Sequence, residues 1–339
     1  MSDKPKTRVA VVGAGAFGRN HARVYHDLAQ QDPNLEFVGV VDANVGRAKE
    51  VARQFGAQAF ETVSDLKGKA DAATVAVPTV AHLEVAQQLM RDGIDVLIEK
   101  PVASSLREAD DLIKLARQHQ RIAQVGHLER FNPAVRATTK LITKPMFFEV
   151  HRLSIFTPRA LDVDVVLDLM IHDLDIVLSF VDSPVKEIRA VGLPILSDKV
   201  DIANVRMEFD SGCVANFTAS RVSTERIRKL RFFQPHQYVS LDYTRQDVVV
   251  FTVGNDGNAS PSSPGLAELD AAHPSGPEIR PFKPEVTHEE PLHAELKSFL
   301  HSVRMRTQPV VPLEEGRRAL AVALEILVAI RDHSRRIGF

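Results

Sequence analysis

The chain contains one cysteine, Cys213, so no disulfide can close within it, and the reducing cytoplasm is the expected compartment. It also lacks any apolar run near the roughly 20 residues that cross a bilayer. Its first residues, MSDKPKTRVAVVGAGAFG, lack the long apolar core of a secretory signal, and no membrane role is expected. Charge of one sign is missing too. Forty-two lysines and arginines stand against 44 aspartates and glutamates, a net charge of −2, which gives no basic field for wrapping nucleic acid. What is present suits a globular protein. At 339 residues the chain exceeds one core of roughly 100–200 residues, so two domains are expected.

The first 126 residues alternate short apolar runs with helical patterns. The runs are RVAVVG (8–13), EFVGVVD (36–42), ATVAVP (73–78), DVLIEKP (95–101) and RIAQVG (121–126); FGRNHARVYHDLAQ (17–30) and LREADDLIKLARQH (106–119) are two of the helices between them. This alternation predicts a parallel sheet covered on both faces. From residue 127 to 339 the pattern changes. Long β-like stretches over 185–193, 202–210, 213–222 and 228–253, with a hairpin turn at Asp210-Ser211-Gly212, predict a large, mostly antiparallel open sheet in an α+β domain. Residues 254–277 are rich in Gly, Ser, Pro and Asn and read as a loop. Two helices, near 289–306 and 313–333, close the chain.

Gly13, Gly15 and Gly18 in VVGAGAFG have the spacing G-x-G-x-x-G after a strand and before a helix, the fingerprint of a Rossmann dinucleotide-binding domain. The first glycine permits the turn, the second lets a pyrophosphate approach the backbone, and the third lets helix and strand pack closely. The second strand ends at Asp42, whose carboxylate can accept hydrogen bonds from both ribose hydroxyls of an adenosine and would repel a 2′-phosphate. Ala43 and Asn44 follow, with no adjacent arginine, so NAD is expected rather than NADP. Ligands of such sheets sit at the strand C-termini. There the chain places Gly13, Asp42, Pro78, Thr79, Glu99, Lys100, Pro101 and His127, expected to line one crevice, and Ala16, Phe17 and His82 join them as cofactor-binding candidates.

The segment DLMIHDLDI (168–176) sets ionisable groups in an otherwise apolar helix. At ~100° per residue, Asp168, His172 and Asp175 share a face while Asp173 points away. Such a stripe is either an internal network or the wall of a wet cavity. A metal site at the i, i+4 spacing is disfavoured, because no further His/Cys cluster supports it.

A glycine-rich turn, Glu-Lys-Pro after the fifth strand, and Asp-x-x-x-His in a second, β-rich domain together resemble the glucose–fructose oxidoreductase / inositol dehydrogenase / rhizopine catabolism family over nearly the whole chain. VGHLERFNPAV (125–135), CVANFTASRVSTERIRKLRFFQ (213–234) and EPLHAELKSFL (290–300) resemble the branch that contains UDP-N-acetylglucosamine 3-dehydrogenases. The resemblance implies Lys100, Asp168 and His172 as catalytic residues. It also implies NAD as cofactor, a nucleotide-sugar substrate on the route to the 2,3-diamino sugars of lipid A, and a homodimer or homotetramer. Chemically, His172 suits the general base that takes the alcohol proton, with Asp168 orienting it. Lys100 can steady the developing alkoxide, or itself be the base if burial lowers its pKa. The phosphates of a nucleotide sugar call for cations. Arg130, Arg152, Arg221, Arg226, Arg228, Lys229 and Arg231 are candidates, though alternate charges on a strand commonly face solvent. Asn132 is a sugar or cofactor ligand on the resemblance alone, and a cis bond before Pro101 is a further expectation. Two other readings stay open: a dehydrogenase of a free polyol or sugar, and a non-catalytic NAD-binding regulator, which would be expected to lose the lysine or histidine.

Overall fold

The computed structural model describes residues 6–157, 163–253 and 279–338; the stretch read as a loop at 254–277 lies outside them. The chain forms two compact units. One is built from the residues up to Phe131 together with Glu290–Ala321, the other from Asn132–Glu289 together with the residues from Val322.

The first unit runs β1 (Thr7–Val12), α1 (Ala16–Gln31), β2 (Leu35–Val41), α2 (Val45–Gln54), β3 (Gln58–Phe60), β4 (Ala72–Val75), α3 (His82–Arg91), β5 (Asp95–Glu99), α4 (Leu106–Gln118) and β6 (Ala123–Gly126). Its strands make one parallel sheet in the order β3-β2-β1-β4-β5-β6. The order reverses direction between β1 and β4, and that switch point opens a crevice at the strand C-termini. The centre is buried on both faces: Val9, Val11, Val40, Ala72, Val75, Val96 and Ile98 are fully covered, as near-continuous apolar strands require. Short polar side chains start the helices. Asn44 accepts the Arg47 N–H at 3.0 Å and Ser105 the Glu108 N–H at 3.2 Å.

The second unit contains α5 (Pro133–Thr139), β7 (Phe147–Ile155), α6 (Ile171–Phe180), β8 (Val185–Leu193), β9 (Ile202–Phe209), β10 (Val214–Ser223), β11 (Ile227–Gln234), β12 (Gln237–Asp242), β13 (Asp247–Val253) and β14 (Ile279–Phe282). These strands form an eight-stranded sheet in the order β14-β13-β12-β11-β7-β10-β9-β8. Pairing is antiparallel except between β7 and β10. The hairpin at Asp210–Gly212 is present, with Gly212 at φ +83°. Side chains alternate along the strands. Phe148, Phe217, Phe232, Val239 and Val250 are buried, and Phe180 of α6 packs on Phe148 and Phe232 with ring centroids 6.4 Å from each.

The last two helices are α7 (Pro291–Met305) and α8 (Leu313–Ile337). A single cut at residue 126 does not reproduce this grouping, because α7 returns to the first unit. Its Leu296, Phe299, Leu300 and Val303 join Val24, Tyr25, Leu28, Phe37 and Val51 in one core cluster. Leu296 and Phe299 are fully covered, and each such side chain contributes about 1.5–3 kcal/mol on burial. No described helix is long and apolar enough to cross a membrane.

Candidate dinucleotide and catalytic site

The glycines divide their tasks as the motif predicts. Gly13 sits at φ +99°, and a Cβ there would lie 2.4 Å from the Ala76 carbonyl oxygen. A Cβ on Gly18 would lie 1.7 Å from the Gly13 carbonyl oxygen. Apart from its chain neighbours, a Cβ on Gly15 would meet no atom of the described residues within 4 Å, so the space beside it is open among them. Gly15 is also the N-cap of α1, with no side-chain cap and no acidic residue in the first turn. The helix N-terminus therefore presents unsatisfied N–H groups and positive partial charge to that space, as a pyrophosphate requires. Ala16 and Phe17 open the helix there, and Phe17 is 61% exposed. These residues fit NAD.

Asp42 follows β2 and is buried. Its Oδ2 accepts the Ala14 N–H at 2.6 Å, and its Oδ1 accepts the Asn44 N–H at 2.7 Å. The guanidinium of Arg47 grips the same carboxylate, Nε to Oδ2 at 3.1 Å and Nη2 to Oδ1 at 2.8 Å. Burial pushes the Asp42 carboxyl up, but Arg47 and the two N–H groups outweigh it and hold the group below its ordinary value. The expectation that no arginine stands by Asp42 is thus corrected. The cation comes from the first turn of α2, where side chains lean back toward the helix N-terminus.

Around β5, the Lys100–Pro101 peptide bond is cis and Lys100 is half-buried. Behind them lies a buried cluster that sequence reasoning missed. His21 Nε2 of α1 is 2.8 Å from Glu99 Oε1. Burial raises the Glu99 carboxyl, but His21, followed by Lys100 and His82, brings it below its ordinary value. Glu295 of α7 is fully buried, and neither carboxyl oxygen has a hydrogen-bond partner among the described residues. Burial first, and the charge of Glu99 second, drive Glu295 well above the ordinary glutamate range, so it keeps its proton. The signal was a glutamate at an apolar position of the α7 pattern.

His82 was expected at the cofactor. It is 1% exposed, with Nε2 3.0 Å from the Val77 carbonyl and Nδ1 3.1 Å from that of Pro101. Burial favours the neutral ring, which has one N–H and so donates to one of these two carbonyls, setting the imidazole between the β4 turn and the Glu-Lys-Pro turn. Pro78 and Thr79 lie at that β4 turn, with Pro78 exposed. His127 is buried just beyond β6. Arg130 pairs with Glu315 at 2.8 Å.

In the second unit, Asp168 and His172 are both half-buried. Val166–Met170 is a π-turn ahead of α6, a widened turn common at functional sites, where an unbroken α-helix was expected. Asp175 is buried. Asp173, off the stripe, takes both oxygens to Arg152: Nε–Oδ2 is 2.6 Å and Nη2–Oδ1 is 2.9 Å, the pair is 3% and 2% exposed, and the Arg152 guanidinium lies 5.1 Å from the Tyr243 ring centroid. Arg152, expected at a substrate phosphate, is held in this internal pair. Asn132, expected at sugar or cofactor, caps α5 by accepting the Ala134 N–H at 3.1 Å and donates to the Tyr243 carbonyl at 3.0 Å. Arg221 is buried beside Asp201, Lys229 faces Asp242 at 3.9 Å and Arg231 pairs with Glu149 at 2.9 Å. Arg226 and Arg228 are exposed.

A parallel sheet with a switch point, an open glycine-lined helix N-terminus and a buried carboxylate after the second strand define a dinucleotide-binding protein. Residues 7–127 match the NAD-binding Rossmann fold of the Gfo/Idh/MocA oxidoreductases, and residues 144–234 match the C-terminal domain of the same proteins. The chain is 34% identical to UDP-N-acetylglucosamine 3-dehydrogenase from Acidithiobacillus ferrooxidans, over 97% of this chain and 99% of that one. A solved structure under that name from the same organism superposes with a TM-score of 0.84, at 32% identity, covering 96% and 98% of the two chains. The scyllo-inositol 2-dehydrogenase (NAD(+)) of Bacillus subtilis is 29% identical over 64% of this chain and 68% of its own. The chain belongs to the Gfo/Idh/MocA family of NAD-dependent oxidoreductases.

Proposed function

We propose that the protein oxidises the 3-hydroxyl of UDP-N-acetylglucosamine to the 3-keto sugar, ahead of amination to a 2,3-diamino sugar. The observation that carries this reading is the end-to-end likeness to a dehydrogenase of that name; the Glu-Lys-Pro and Asp-x-x-x-His motifs of this sequence, which contain Lys100, Asp168 and His172, support it. NAD, when bound, supplies the hydride acceptor. His172 takes the hydroxyl proton, Asp168 orients the imidazole, and Lys100 donates a hydrogen bond to the oxygen as charge builds on it. Gly15, Ala16, Phe17, Asp42 and Thr79 hold the dinucleotide, and Arg226 meets a substrate phosphate.

A free polyol is the second reading. Its support is that Arg130, Arg152, Arg221 and Arg231 are held by carboxylates, which leaves fewer cations for two phosphates. Reduced-nicotinamide absorbance with NAD and either UDP-N-acetylglucosamine or an inositol separates the two. Turnover of the nucleotide sugar, lost in Lys100→Met and His172→Ala, is the expected result; turnover of inositol alone would overturn it. Because a tightly held cofactor can hide product, the sugar is also checked by mass for loss of two hydrogens.

The protein is further proposed to be a cytoplasmic homodimer or homotetramer. Phe147, Phe233, Tyr238 and Phe251 form a row of ring contacts, 5.0–5.7 Å between centroids, on the sheet face opposite α6, and Phe233 is 39% exposed. Light scattering of the purified chain should give a multiple of 37.5 kDa; the monomer mass would overturn the proposal.

A further inference from the structure

Asp168 stands in the π-turn and His172 follows at the start of α6, so the way the chain enters that turn decides where both side chains stand. The entry is gripped from outside the helix. The Val165 N–H, one of the donors a helix start leaves over, donates to the Val200 carbonyl at 2.8 Å, and the Val200 N–H donates back to Asp164 Oδ1 at 2.9 Å. The Asp164 carbonyl in turn accepts the Asp168 N–H at 3.0 Å. A second grip comes from β10, where the Arg221 guanidinium donates to the Val163 carbonyl. Both grips meet at Asp201, which directly follows Val200 and is fully buried. Its Oδ2 accepts three consecutive N–H groups, those of Ile195 at 2.8 Å, Leu196 at 2.6 Å and Ser197 at 2.9 Å. Its Oδ1 accepts the Ser197 hydroxyl at 2.8 Å and faces Arg221 Nε at 3.6 Å, while its carbonyl accepts the Arg221 N–H at 3.0 Å. Ile195 and Leu196 are each 54% exposed, so this carboxylate, rather than core packing, shapes the loop they lie on. Burial pushes the Asp201 carboxyl up, but the loop N–H groups and the Ser197 hydroxyl outweigh it and hold the group at about 2.

We propose that Asp201 is a positioning residue for the reaction: through Val200 on one side and Arg221 on the other it fixes the entry Val163–Val165, and with it Asp168 and His172. The proposal rests on the reading in which those two residues handle the alcohol proton, and deepens it. A π-turn is a rare form that its surroundings must hold. Released, it relaxes toward the regular helix, which turns Asp168 relative to His172. Misplacing a catalytic group by about 1 Å costs about a hundredfold in rate. Asparagine at 201 keeps the volume of the side chain but removes one acceptor oxygen and the charge that Arg221 faces.

The test compares the full-length wild type with Asp201→Asn in two readouts. In hydrogen exchange followed by mass spectrometry, the amides of 164–172 should exchange about tenfold faster or more in the variant, while those of β1 and β4 keep wild-type rates. In turnover of UDP-N-acetylglucosamine with NAD, kcat should fall about ten- to a hundredfold with KM held within about threefold. Asp168→Asn/Asp201→Asn should be no slower than Asp168→Asn alone, because a turn stripped of its orienting carboxylate has no such geometry left to lose; a loss that came from unfolding would add to it. If Asp201→Asn does not fold, Asp164→Ala breaks the same bridge at its half-buried end and is read in the same way. Unchanged exchange over 164–172, an unchanged kcat, or full additivity in the double variant would each overturn the proposal. A wild type that turns over no nucleotide sugar would instead overturn the dehydrogenase reading, and the exchange comparison would then decide the Asp201 grip by itself.

Discussion

A methyl group on Gly18 would stand 1.7 Å from the Gly13 carbonyl oxygen, and one on Gly15 would stand in open space. The two substitutions should therefore fail differently. Gly18→Ala forces α1 off β1 and should destabilise the chain by about 1–3 kcal/mol or more in denaturant unfolding. Gly15→Ala should leave stability within about 1 kcal/mol and yet weaken ADP-ribose binding more than tenfold by calorimetry. Equal loss of stability in both would mean that the open space at Gly15 is not a ligand cradle. The glycines and Asp42 were legible because each answers a backbone or charge requirement local to its own turn. Arg47 was not: Ala43, Asn44, Val45 and Gly46 separate it from Asp42 in the sequence, whereas a side chain in the first turn of a helix points backward and reaches a residue five positions earlier.

The elements carry two buried charge arrangements with opposite consequences. Arg152 on β7 and Asp173 on α6 are each nearly sealed. Removing one partner, as in Arg152→Met, should cost about 3–5 kcal/mol in denaturant unfolding, while the double replacement Arg152→Met/Asp173→Leu should cost much less, because no charge is left buried alone. On α7, Glu295 keeps its proton in the folded chain at a pH where unfolded glutamates have lost theirs. Folding then takes up a proton. The stability is fully present below the ordinary glutamate value of 4.5 and falls as pH rises toward the higher folded value. Glu295→Gln should flatten that slope and exceed the wild type by about 1–3 kcal/mol at mildly alkaline pH; an unchanged slope would place the titration elsewhere. The apolar period of the sequence showed where α6 and α7 lie. It could not show the π-turn at Val166–Met170 or which charges pair inside, since both depend on what packs against the helix.

For the whole molecule, the grouping of α7 with the nucleotide unit makes a direct claim about fragments. The chain cut after Phe131 leaves the cluster around Tyr25, Leu28 and Phe37 without Leu296, Phe299 and Leu300, and should be insoluble. Joining Glu290–Ala321 behind Phe131 through a Gly/Ser linker should restore a soluble domain that binds ADP-ribose. A soluble, ligand-binding fragment ending at Phe131 would refute this. Fold class was readable at this scale because alternating strands and helices, then long amphipathic strands, impose their own sheet types. The return of α7 and the parallel β7–β10 pair were not, because each joins segments far apart in sequence through side chains that would suit many partners. The same return imposes an order on synthesis. The ribosome must translate all of Asn132–Glu289 before it supplies the helix that seals the first core. At about 5–20 residues per second that interval is roughly 8–30 s, during which the nascent amino-terminal half shows a greasy face to the cell and is a natural client for a holding chaperone.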